Sequence, residues 1–184
     1  MKDFHEQQVT ILTFRLREEL YGIDVFRVRE VVEYLKPAML PVMPDYLKGV
    51  IDLRGEAIPI LDLRTKFNMK ARESDAQTSF IILEGKIEEE EMVFGAMVDG
   101  VREVVDLAPD AIKAPPRFDQ KARAEYLSGI TRHQDNFILV IDTDSLLTLE
   151  QAEAMREAAE QAGELSTEMA EALEVGGAEN YTPG

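Results

Sequence analysis

The pentapeptide Val-Arg-Glu-Val-Val occurs twice in this chain, at residues 28–32 and 101–105. It is the centre of a longer match. Residues 21–34 align with residues 94–107 at an offset of 73, and seven of the fourteen positions are identical. A second match follows at an offset of 80. There Tyr46-Leu47-Lys48-Gly49-Val50 aligns with Tyr126-Leu127-Ser128-Gly129-Ile130, and Ile58 to Asp62 aligns with Ile138 to Asp142. Two matches in the same order point to a duplicated unit rather than coincidence between valine-rich strands. Each unit is too small to be very stable alone, so two units packed together should share one core. This predicts a pair of small barrels or curled sheets side by side, with a groove between them.

The pattern within each copy is that of β structure. Residues 9–17 and 20–26 read as a hairpin, because they are rich in β-formers and partly alternate. Residues 28–35 are ambiguous between strand and helix spacing, and a short helical turn or irregular bend is expected there. The prolines of Leu40-Pro41-Val42-Met43-Pro44 suit an extended edge segment. Residues 45–49 suggest one capped helical turn ending on Gly49. Residues 50–53 and 57–63 form a hairpin with Arg54-Gly55-Glu56 as its tip. Residues 78–83 and 92–98 form the next pair, joined by a loop that contains the acidic run Glu88 to Glu91. Residues 108–124 are a connection, and residues 126–131 and 137–142 make the last hairpin. From about Ser145 the period changes. Leu149, Ala152, Met155, Ala159, Ala162, Leu165, Met169 and Leu173 recur at helical spacing, and Gly176-Gly177 should end that helix.

Charge and composition remove several function classes. The net charge of −16 repels nucleic-acid backbones and anionic lipid. The charge is uneven, since residues 150–175 hold eight Glu against one Arg, a net of −7. There is no cysteine, which removes disulfides, thiolate metal sites and thiol nucleophiles and fits a reducing cytoplasm. The polar N-terminus, Met1 to Gln8, carries no apolar signal core, and no run approaches the roughly 20 apolar residues of a membrane helix. The acidic run at 88–91 reads as a solvated loop rather than a metal site. His5 and His133, the two histidines, have no ligand or nucleophile at a telling spacing. No metal or cofactor is expected.

The run Gly49-Val50-Ile51-Asp52-Leu53-Arg54-Gly55-Glu56-Ala57-Ile58-Pro59-Ile60-Leu61-Asp62-Leu63-Arg64 closely resembles the signature of the CheW family of bacterial chemotaxis coupling proteins. Tyr21 to Val25, Val28 to Val31, Val98 to Val101 and Glu125 to Gly129 are similar to further landmarks of that family, in order and at family spacing. The resemblance implies an all-β fold of two five-stranded SH3-like barrels around a shared hydrophobic core, with short helices and a C-terminal helix. It implies a CheW-like domain over residues 7–148, its two sub-barrels joined near 70–80 with interleaved ends, followed by an acidic helix and loose tail over 149–184. It implies a non-catalytic cytoplasmic adaptor, recruited to membrane-associated receptor arrays. Its partners would be the histidine kinase CheA, through that kinase's CheW-like regulatory domain, and the cytoplasmic tips of methyl-accepting chemoreceptors. The contacts implied fall on Val28, Glu30 and Arg54, with Gly49, Val101 and Val104 at further positions implicated in coupling. The chain departs from the family by Asp52, where Asn usually precedes the Leu-Arg-Gly turn, and by the longer acidic helix.

Other readings stand beside these. Arg54 is also what an ordinary solvated turn looks like. Glu30 has a copy in Glu103, so a structural role for Arg29 and Glu30 in the bend is open. Val28, Val31, Val101 and Val104 suit a core as well as a groove that receives a receptor helix. Asp52 and Asp62 make a conceivable catalytic carboxylate pair, but no nucleophile or oxyanion donor accompanies them. A ligand-binding barrel would need a cavity that five-stranded barrels fill with their own side chains. The acidic helix either docks on the barrels or pairs with another helix.

Overall fold

A computed structural model describes residues 8–115 and 125–179, with the side chains of the last helix described through Leu165. His5 and residues 116–124 of the connection lie outside the described residues. Among the described residues ten strands form two five-stranded curled sheets. They are β1 (Val9–Leu16), β2 (Glu19–Asp24), β3 (Val28–Glu33), β4 (Leu47–Leu53), β5 (Glu56–Asp62), β6 (Ser79–Ile87), β7 (Glu90–Val98), β8 (Gly100–Leu107), β9 (Leu127–His133) and β10 (Asn136–Ile141). One sheet has the order β8-β1-β2-β10-β9 and the other β3-β6-β7-β5-β4. A short helix α1 (Leu63–Lys66) follows β5, and a long helix α2 (Leu149–Glu179) follows β10.

The two orders are the same once β1–β5 are matched with β6–β10 as the repeat requires, and in each sheet the first two strands of one copy are joined by the last three of the other, so β3–β5 and β8–β10 have changed places. Each sheet therefore combines strands from both copies, instead of each copy folding into its own unit. The exchange begins at a 3-10 turn, Val25–Arg27, where the Asp24 carboxylate accepts the amide of Phe26. That cap ends β2 and turns the chain toward β6, with which β3 pairs antiparallel. The bend expected within residues 28–35 thus lies one step earlier, and the β-branched run itself is a strand.

The copies correspond down to single hydrogen bonds. The amide of Asp62 donates to Tyr46 O at 2.8 Å, and that of Asp142 to Tyr126 O at 2.8 Å. Ala38 bridges to Val50 as Lys113 bridges to Ile130. A Cβ on Gly49 would lie 2.5 Å from Ala38 O, and one on Gly129 would lie 2.6 Å from Lys113 O. Both glycines admit a neighbouring backbone that any side chain would exclude. Gly49 also has φ +142°, inside β4, where the register shifts. The helical turn expected at 45–49 is replaced by a brief turn and a bulged strand, because Leu47 already pairs with Leu61.

Strands β6 and β7 are longer than expected and meet in a two-residue turn, Glu88-Glu89, with φ of +45° and +70°. Burial explains the extension. Leu83, Gly85 and Ile87 face inward while Glu84, Lys86 and Glu88 face outward, so alternation continues through a stretch whose acidic composition suggested a loop.

Each sheet encloses a small interior of its own. Ile11, Val105, Ile138 and Val140 fill one, and Ile51, Ile60, Phe80 and Ile82 fill the other. Between them lies a shared core, with Phe14, Leu16 and Tyr21 from one sheet and Ile81, Leu83 and Phe94 from the other. The first turns of α2 belong to this core through Ala152, Met155 and Ala158. The helix therefore docks on the body instead of standing apart as a separate tail. It starts with a reciprocal cap in which Thr148 N donates to Gln151 Oε1 and Gln151 N to Thr148 Oγ1. Its backbone runs through Gly176-Gly177 to Glu179; glycine lowers helix propensity without forbidding the helix.

Candidate functional site

Arg54 and Glu30 meet although 24 residues separate them. Glu30 lies on β3, the edge strand of its sheet. Arg54 and Gly55 form the β4–β5 turn, both with positive φ, +51° and +86°. The Asp52 carboxylate accepts the amide of Gly55 at 2.8 Å, so the aspartate that departs from the usual asparagine still caps the turn. From this tip Arg54 Nη2 donates to Glu30 Oε1. The Arg54 side chain is 72% exposed and that of Glu30 25%. Only one arm of the guanidinium is engaged, so a planar donor fork remains open to solvent.

Arg29, whose structural role the sequence left open, lies on the same strand as Glu30, with two charges not singled out from the sequence, Glu56 and Glu84. Arg29 donates to Glu84 Oε1 at 2.9 Å and to Glu56 Oε2 at 3.0 Å. The hydrogen bond to Glu84, aided by the Glu56 carboxylate, raises the Arg29 guanidinium above its ordinary value. Arg54–Glu30 and Arg29 with Glu56 and Glu84 thus form two ion-paired groups on the β3–β6 edge and the β4–β5 turn. The sequence shows each charge; only the register β3–β6 and the two-residue turn show that they are neighbours.

The other candidate residues have different places. Val28 is half-buried against the shared core, opposite Leu83. Gly49 is buried and shaped by backbone contact. Val101 and Val104 lie on β8, the edge strand of the other sheet. Val101 packs against the shared core, and Val104 is 56% exposed. The structure therefore joins Glu30 with Arg54, sets Val28 beside them, and puts Val101 and Val104 on the corresponding edge.

The second copy lacks the ion pair. Glu103 matches Glu30, but the turn that matches Arg54-Gly55 is Gln134-Asp135, and among the described residues the basic side chain near Glu103 is the His133 imidazole, its Nε2 3.8 Å away. The difference between copies lies at the tip, not in the shared Val-Arg-Glu-Val-Val.

The imagined carboxylate pair is accounted for structurally. Asp62, 1% exposed, is held by Arg64 at 3.3 Å, and Asp52 is the turn cap. Among the described residues no group of three or more His, Asp or Glu is placed to hold a metal ion, and no helix is long and apolar enough to cross a membrane.

The comparisons with known proteins agree with this geometry. The family model described as CheW-like domain matches residues 10–151. The chemotaxis protein CheW of Klebsiella aerogenes is 35% identical over 140 residues, covering 76% of this chain and 82% of that protein. CheW of Treponema pallidum is 30% identical over 146 residues, covering 78% and 85%. The crystal structure of the scaffolding protein TtCheW from Thermoanaerobacter tengcongensis superposes with a TM-score of 0.68 at 32% identity, covering 76% of this chain and 92% of that one.

Proposed function

The chain belongs to the CheW family of chemotaxis scaffolding proteins, and from that membership we propose that it couples chemoreceptor cytoplasmic tips to the histidine kinase CheA. It acts without catalysis and without a cofactor. It is a cytoplasmic protein recruited to receptor arrays, and it binds the kinase through the kinase's CheW-like regulatory domain.

The observation that carries this reading is the exposed Arg54–Glu30 pair on a sheet edge. An exposed ion pair adds about 0–1 kcal/mol to stability, so folding alone gives little reason for it. Arginine forks that exchange one carboxylate for another are strong interface anchors. Apolar surface adjoins the pair in sequence, since Val31, Leu35, Met39 and Val42 are all exposed in the segment that follows Glu30. A charged anchor beside exposed apolar side chains suits a protein partner.

Capture on an immobilised receptor cytoplasmic fragment tests the reading. Arg54→His and Glu30→Ala are expected to keep the native circular dichroism spectrum and to lose capture. Normal capture by both variants would contradict it.

A further inference from the structure

A second charged feature shares no residue with the Arg54–Glu30 site. An open cleft of about 880 Å³ lies between the β1–β2 turn and the segment that follows α1. Arg15 and Arg17 line one wall, and Lys70 and Arg72 the other. Glu18 and Glu19 also face it, but Glu19 is engaged with the Tyr21 hydroxyl at 2.7 Å. Acidic residues outnumber basic ones 36 to 20 in this chain, so a wall of four cations is the exception on its surface.

Of the four cations Arg72 is already paired, with Asp75 Oδ2 at 2.8 Å. Among the described residues, neither Arg15, Arg17 nor Lys70 has a carboxylate at ion-pair distance, and Arg15 Nε is buried without a hydrogen-bond partner. Arg17 also holds φ +54°, a left-handed conformation that is strained for a non-glycine residue.

The buried charges of the core fix both walls. Asp99, 3% exposed, accepts the Arg17 amide at 2.6 Å through one oxygen and Arg64 Nη1 at 3.2 Å through the other. The same Arg64 nitrogen donates to Arg72 O at 2.8 Å. Arg17 Nη1 then crosses the cleft to Lys70 O, also at 2.8 Å. A buried ion triad, Asp62–Arg64–Asp99, thus sets the spacing of the cationic walls.

We propose that this cleft binds an extended acidic peptide segment of a partner protein, whose carboxylates would lie between Arg15, Arg17, Lys70 and Arg72. Size and lining choose the ligand class. The cleft is far larger than one inorganic anion, and it has no aromatic side chain on which a nucleobase would stack. Met69 and Ala71 offer apolar contact between the charges, as a peptide would use. The net negative charge of the whole chain does not prevent this, because at physiological salt fields fade over about 8 Å.

The test uses the full chain and a short fluorescein-labelled peptide of alternating glutamate and alanine, followed by fluorescence anisotropy. Saturable binding that weakens with salt is expected, with none for the glutamine counterpart. Lys70→Glu is expected to weaken it about tenfold, and Arg17→Ala by at least as much. Lys70 contributes only its backbone carbonyl to the fold, so Lys70→Glu separates binding from folding. No binding of the glutamate peptide, equal binding of the glutamine peptide, unchanged affinity in both variants, or displacement by inorganic phosphate at equal charge concentration would each overturn the proposal.

Discussion

The Arg54 guanidinium donates to the Glu30 carboxylate across a two-residue turn and a sheet edge, so the two charges expected to bind partners are each other's neighbours in the free protein. Arg54 occupies a left-handed position, φ +51°, that glycine fills without strain. Arg54→Gly should therefore leave the unfolding free energy unchanged or raise it by up to about 1 kcal/mol, while receptor capture is lost. Urea unfolding beside the capture assay checks both. A loss of several kcal/mol would show that the pair is structural.

Gly49 behaves in the opposite way. A methyl group there would meet Ala38 O at 2.5 Å and would force a side chain onto φ +142°. Gly49→Ala should lower stability by about 2–4 kcal/mol, and Gly129→Ala, with its Cβ 2.6 Å from Lys113 O, should do similar damage. Thermal unfolding of the two variants would show it. Coupling lost through Gly49 would then be a failure of folding, not of contact.

The buried triad should be sensitive to the loss of one member. Asp99→Ala leaves Arg64 buried with Asp62 alone and removes the acceptor of the Arg17 amide. Breaking a buried pair in this way costs about 3–5 kcal/mol. A change under about 1 kcal/mol in urea unfolding would contradict this account of the triad.

Much of this was legible in the sequence, and the residues show why the rest was not. The offsets 73 and 80 revealed a duplication, and Gly49/Gly129 and Tyr46/Tyr126 keep its register in three dimensions. The exchange of β3–β5 with β8–β10 was hidden, because a repeat shows which strands are equivalent but not which copy each one pairs with. Asp24, whose carboxylate caps the turn at Val25–Arg27, was the local signal. The ion-paired group around Arg29 was hidden for the same reason, since Glu56 and Glu84 reach it only through pairing. At residues 84–91, acidic composition outweighed the alternation of Leu83, Gly85 and Ile87, and the strand was read as a loop.

The acidic helix divides at its docked turns. A chain ending after Leu149 loses Ala152, Met155 and Ala158 from the shared core, and the loss of Met155 alone should cost about 2–5 kcal/mol. A chain ending after Leu165 keeps all three and should match the full chain in unfolding and in partner binding. Comparing the two truncations by thermal unfolding checks where the folded body ends.

Lys66 provides a pH dependence. Its ammonium lies over the rings of Tyr46 and Tyr126, and burial lowers it below its ordinary value of 10.5, with Glu125 opposing the shift. The unfolded chain therefore holds more protons between the lowered value and 10.5, and stability rises with pH across that window. Relative to Lys66→Met, the wild-type chain should gain stability as pH climbs toward 10.5. A difference that stays flat or falls would show that the amine is not desolvated.

The coupling function itself is tested most directly by isothermal titration of the full chain with the CheW-like regulatory domain of CheA. Saturable binding is expected, with no catalytic turnover and no added metal or cofactor required. A chain that is folded by circular dichroism yet shows no binding would contradict the account.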